Sequence, residues 1–148
     1  MKKIAFLTVL IVCSMGLISC GKRYVGRTVN TRTNPYWCNV SSLPYTCRNG
    51  SEKDICIINS TISRGATEGT YIAEGVVDFS KGGFKSWGNL QDAGTKFSIV
   101  LAKDNVIVDT HAFMLRTMGS VKEVLFSVEF ECPGGFDAIT YVGEARIR

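Results

Sequence analysis

Histidine is almost absent from this chain: His111 is the only one among 148 residues. Zinc sites draw on histidine or on closely paired cysteines, and no C-x2-C pair supplies the alternative. The chain also lacks a P-loop, a G-x-G-x-x-G turn and an H-E-x-x-H pair. Nucleotide cradles and helical metalloprotease sites therefore have no support. Asp78, Asp92, Asp104 and Asp137 are scattered, without the D-x-D-x-D-G spacing of a calcium loop. Neither a metal nor a cofactor is expected. Beyond residue 18 there is no convincing helical periodicity, no internal repeat and no low-complexity tract.

What is present begins with the first twenty residues. Lys2 and Lys3 form a positive start, and residues 4 to 18 are apolar except for Thr8, Ser14 and Gly16. Small residues then precede Cys20. A basic start, an apolar run and a small-residue cleavage zone define an export signal. The run falls short of the roughly 20 residues that span a bilayer, and it ends in Gly21-Lys22-Arg23.

Leu17-Ile18-Ser19-Cys20 resembles the lipobox of bacterial lipoproteins. The resemblance covers four residues and their signal context. It implies cleavage before Cys20, diacylglycerol on the Cys20 sulfur and a further acyl chain such as palmitate on the new N-terminus. One acyl chain holds a protein to a membrane only marginally, and several hold it firmly. In that family Asp after the cysteine retains the protein at the inner membrane. Gly21 stands there instead, which implies the outer membrane. The expected organisation is a cleaved signal peptide over 1–19, a lipid anchor and basic tether over 20–37, and one domain over 38–148.

Cleavage after residue 19 of 148 leaves 129 residues and lowers the formal charge of +4 by the two lysines to +2. That length suits one domain with a real core. From Lys22 to Arg48 there are five basic residues and no acidic one, whereas acids outnumber bases from Gly65 onward. A basic stretch beside a lipid anchor reads as one lying near anionic head groups. Nucleic-acid binding fits an exported lipoprotein poorly.

Cys38, Cys47, Cys56 and Cys132 remain in the mature chain. An even count in an oxidising compartment predicts two disulfides, with three possible pairings. Period-two alternation predicts strands over Ile55–Ser63, Thr70–Ser80, Lys96–Ala102, Val106–Leu115, Val121–Cys132 and Ile139–Arg148. Asp104-Asn105 suits a two-residue turn, which would set Leu101 opposite Val108 and Phe97 opposite Ala112. Residues 38 to 53 read as loop. One polar face per strand argues an all-β antiparallel sandwich of six to eight strands. Immunoglobulin domains share that architecture, though their Cys–Trp–Tyr spacing is missing here. Cys56 and Cys132 fall on apolar faces, and Cys38 and Cys47 fall in the loop-rich segment. The expected pairs are Cys38–Cys47 and Cys56–Cys132.

Two aromatic loops are candidate binding sites: Tyr36-Trp37, and the Gly-rich stretch with Phe84 and Trp87. Loop Trp and Tyr are common on binding surfaces, and large aromatics are also common as plugs of a sandwich end. Asp109 and His111 share one face of a strand, and that pattern reads as a solvated outer face rather than part of a triad. The expectation is a membrane-anchored envelope lipoprotein with a non-catalytic binding or structural β-domain, whose partner is an envelope protein or glycan. An inhibitor of an envelope-attacking hydrolase is the alternative, and a small hydrolase using His111 is a third.

Overall fold

The computed structural model describes residues 24–50, 57–78, 94–116 and 123–144. Among these there are eight strands and no α-helix. They are β1 (Cys38–Asn39), β2 (Tyr45–Gly50), β3 (Ile57–Arg64), β4 (Thr70–Asp78), β5 (Gly94–Lys103), β6 (Val106–Arg116), β7 (Glu123–Glu131) and β8 (Ala138–Glu144). Two four-stranded sheets form, in the orders β1-β8-β5-β6 and β2-β3-β4-β7. All the pairings are antiparallel. The expected antiparallel β-sandwich is the fold.

The alternation in the sequence is what packs the two layers. Phe97, Ile99 and Leu101 of β5 and Ile139 and Tyr141 of β8 face inward and are buried. The second sheet answers with Ile58 and Ile62 of β3, Tyr71, Ala73 and Val77 of β4, and Phe126 and Phe130 of β7. Glu74, Glu129 and Glu131 take the opposite, exposed face. Such pairing of inner faces is how a sandwich builds its core. Aromatic rings reinforce the side where β6 and β7 meet: Phe113 stacks on both Phe97 and Phe126, with centroids 5.7 and 5.4 Å apart.

Three expectations need correction. Residues 38 to 53 are not a plain loop, because β1 and β2 lie within that span. The Cys38–Cys47 disulfide forms as expected, but it joins β1 of one sheet to β2 of the other and so staples the layers at one edge. The second expected bond does not form: Cys132 is a free, buried thiol. Strand register gives the reason. Ile57 pairs with Asp78, which pairs with Glu123, whereas Cys132 follows the far end of β7. The 9 residues of β7 separate those ends, roughly 30 Å of strand. A disulfide needs Cα atoms within about 7 Å. Cys56, the chain neighbour of Ile57, lies outside the described residues.

The third correction is a slip of register. Asp104 and Asn105 form the expected two-residue turn, with φ of 51° and 67°. Lys103 pairs with Val106 and Ala102 with Ile107, but Leu101 then pairs with Asp109. Val108 is the extra residue of a β-bulge. Beyond it every partner shifts by one, so Phe97 faces Phe113 rather than Ala112. Phe113 and Leu115 turn inward, and Met114 turns out to solvent.

Candidate functional site

Residues 24–37 carry no alternation, yet they are not a free tether. They cross the outer face of the first sheet from its β6 edge to its β1 edge. At the β6 end Thr28 bridges Val106. The Gly26 amide donates to the Ile107 carbonyl, and the Ile107 amide donates to the Arg27 carbonyl, both at 2.8 Å. In the middle, Asn30 Oδ1 accepts from the amides of Arg32 and Thr33, a local turn that asparagine side chains favour. At the β8 end Asn34 Nδ2 donates to Thr140 Oγ1, and Thr140 Oγ1 donates to the Tyr36 carbonyl, each at 3.2 Å. Val100, Ala102, Ile107, Thr110 and Thr140 point away from the core but are buried. The strap explains most of that burial: the stretch expected as a tether, with room for an irregular strand near Tyr24 to Val29, packs on the sheet and bridges β6 through Thr28.

The strap does not fill the space beneath it. A cavity of about 400 Å³ lies between Tyr24, Arg27, Asn34 and Trp37 above and Val100, Ile107, Thr140 and Val142 below. A second, of about 530 Å³, runs along Trp37, Val29, Val40, Ala102, Asn105 and Asp137. Trp37 lines both and is half-buried. A ligand in the first cavity would meet an apolar floor, the aromatic rings of Tyr24 and Trp37, and the exposed Arg27, whose guanidinium sits 5.8 Å from the Tyr24 ring centre. The asparagines are committed elsewhere. Asn34 Oδ1, for example, accepts from the Tyr36 amide at 3.0 Å. Concave, mainly apolar space with a few placed polar groups is the usual form of a ligand site.

Of the expected binding residues, Trp37 thus lines both cavities. Tyr36 lies beside it and acts through its backbone carbonyl. Phe84 and Trp87 lie outside the described residues, and so does the lipidation candidate Cys20. Tyr24, Arg27 and the floor residues were not singled out by sequence. The strap has no period, and its partners are more than 60 positions away in the chain.

Asp109 and His111 stand where the bulge puts them: on the inner side, opposite Leu101 and Ile99. The expected solvated outer face is corrected. His111 packs against Phe130, with centroids 5.4 Å apart. Its Nε2 is 3.2 Å from Asp109 Oδ2, at ion-pair distance but outside hydrogen-bond alignment. The nearby nucleophile candidate is Cys132, whose thiol donates to the Gly135 carbonyl at 3.5 Å. Burial pushes this thiol up, and the Asp109 carboxylate adds to the effect. A thiol kept protonated is a poor nucleophile. Among the described residues no group of three or more His, Cys, Asp or Glu is placed to hold a metal ion, and no helix is long and apolar enough to cross a membrane.

Comparisons with family models, with curated proteins and with solved structures each returned no match.

Proposed function

We propose that the chain is a lipid-anchored protein of the bacterial envelope whose β-sandwich binds a partner without catalysis. The anchor reading rests on the lipobox-like Leu17-Ile18-Ser19-Cys20 behind its basic and apolar run, and Gly21 favours the outer membrane. The observation that carries the binding reading is the position of Trp37 along two adjoining cavities on the outer face of the first sheet. A partner that lays a flat apolar face on Trp37 and an acceptor on Arg27 fits this cleft. A glycan or an envelope protein loop has that chemistry. Catalysis is less favoured, because His111 packs against Phe130 on the inner side of the sheet and the nearby Cys132 thiol is pushed up by burial.

Two measurements test the reading. Mass spectrometry of the mature N-terminus is expected to find acyl chains on Cys20, and an unmodified or differently cleaved N-terminus removes the anchor. Retention of the purified protein by isolated envelopes, with and without protease treatment, separates protein from glycan partners. Trp37→Ala is expected to weaken retention about 30-fold, the effect of truncating an aromatic anchor of about 2 kcal/mol. His111→Ala is expected to leave it unchanged. Equal retention by wild type and Trp37→Ala would remove the cleft as the binding site.

A further inference from the structure

Valine is exposed at one corner of the sandwich in a way its neighbours do not explain. Five large hydrophobic side chains are exposed among the described residues: Val25, Val106, Val108, Met114 and Leu125. Three of the five, Val25, Val106 and Val108, lie along the edge where the strap joins β6. Val106 and Val108 flank Ile107, and Ile107 is bonded to both Gly26 and Arg27, which brings Val25 to the same place. Their relative exposures are 42% for Val25, 40% for Val106 and 38% for Val108. Val108 is the extra residue of the bulge, a device that re-aims side chains at sheet edges. Arg27 is exposed beside them and Lys103 lies across the turn, opposite Val106.

The start of the strap is also tied to the proposed anchor. Cys20 precedes Tyr24 by four residues, so no more than about 14 Å of chain separates them. Gly21, Lys22 and Arg23 occupy that interval, and from Lys22 to Arg48 the sequence has no acidic residue. A leash that short keeps this corner within reach of the head groups. Apolar side chains with Arg27 beside them and Lys103, whose ammonium donates to the Gly134 carbonyl, across the turn suit the boundary between anionic head groups and acyl chains.

We propose that the corner formed by Val25, Val106, Val108 and Arg27 docks on the anionic surface of the bilayer that anchors the chain. The inference rests on the lipid-anchor reading above. Docking fixes the orientation of the domain, with the strap edge against the lipid and the second sheet turned away. Asp104 and Asp137 meet at the tip of the β5–β6 turn, where the Asp137 carboxylate accepts from the Asp104 amide at 3.0 Å. Their charge places that tip at the margin of the contact.

The test uses the full acylated chain, with valine and leucine methyls labelled for NMR, in nanodiscs of phosphatidylethanolamine and phosphatidylglycerol carrying a headgroup spin label. The methyl signals of Val25, Val106 and Val108 are expected to lose most of their intensity. Leu125, 79% exposed on the outer face of the second sheet, is expected to keep its signal. The double variant Val106→Glu/Val108→Glu should restore the Val25 signal while staying in the disc fraction, with the Leu125 shift unchanged to show that the fold is intact. Weak, equal loss at all these methyls in an acylated, disc-bound chain overturns docking and leaves the anchor standing. A chain that is unacylated and absent from the disc fraction overturns the anchor and the docking together.

Discussion

Phe97 stands directly opposite Phe113 across β5 and β6, and their rings stack 5.7 Å apart. The pair exists because Val108 bulges out of β6. Without the bulge Ala112 would take the place of Phe113, and Met114 would turn inward. Truncation distinguishes the two registers. Phe113→Ala removes a ring packed between Phe97 and Phe126, so it is expected to cost about 2–4 kcal/mol. Met114→Ala, at an exposed position, is expected to stay within about 0.5 kcal/mol. Urea unfolding of both variants checks this, and the reverse order would restore the unbulged register.

The residues that were readable in the sequence and those that were not differ in the range of their interactions. β4 and β7 announce themselves because Tyr71, Ala73, Val77, Phe126 and Phe130 alternate with Glu74, Ser127 and Glu129. Each strand carries its own record of which face is dry. The bulge leaves no such mark, since Val108 looks like any other strand valine. The strap is equally silent: Asn34 and Tyr36 find their partner in Thr140, and no local pattern encodes a bond over that distance. Thr140 is buried for the same reason, although it alternates as an outward residue. Trp37 was legible as a loop aromatic, while the cavities it lines were not.

The staple and the free thiol should respond differently to chemistry. Cys38 and Cys47 are 9 residues apart, so in the chain-entropy account their bond contributes about 2–3 kcal/mol. Cys38→Ala/Cys47→Ala is expected to lower stability by that amount. Cys132 is 4% exposed and is expected to resist alkylation at neutral pH until the protein is unfolded. Peptide mapping after labelling, folded and unfolded, reads both points. Rapid labelling of Cys132 in the folded protein would contradict its burial.

Gly75 marks a place where two strands leave no room for a side chain. It sits in β4 opposite Ser60 and Phe126. An added methyl would run into the Asn59 carbonyl oxygen and lie 2.8 Å from the Ser60 Cα. Both obstacles are backbone, so the sheet itself must shift. Gly75→Ala is expected to cost about 1–3 kcal/mol, the usual range for overpacking. Gly134→Ala, where nothing lies within 4 Å of the new atom, is expected to change stability by less than about 0.5 kcal/mol. Equal thermal stability of the two variants would show that the β3–β4 contact yields more easily than the geometry implies.

Tyr141 gives the fold an alkaline limit. Its ring lies in the centre of the sandwich, fully buried. Its hydroxyl is near the Ser60 hydroxyl, but neither has a partner in hydrogen-bond alignment. Burial pushes the phenol from 10.0 up to about 12, against a smaller lowering by Ser60. The folded state therefore holds this proton at a pH where the unfolded chain has lost it. The stabilisation is complete below pH 10, falls by about 1.4 kcal/mol per pH unit above it, and is spent near pH 12, for a total of about 2–3 kcal/mol. The raised Cys132 thiol acts with the same sign from its own ordinary value of 9.0 upward. Tyr141→Phe keeps the ring and removes the titration, so it is expected to unfold within about 1 kcal/mol of wild type at pH 8. Its urea midpoint should then hold while that of wild type falls between pH 10 and 12. Parallel decline of the two proteins over that interval would show that the alkaline limit belongs to other groups.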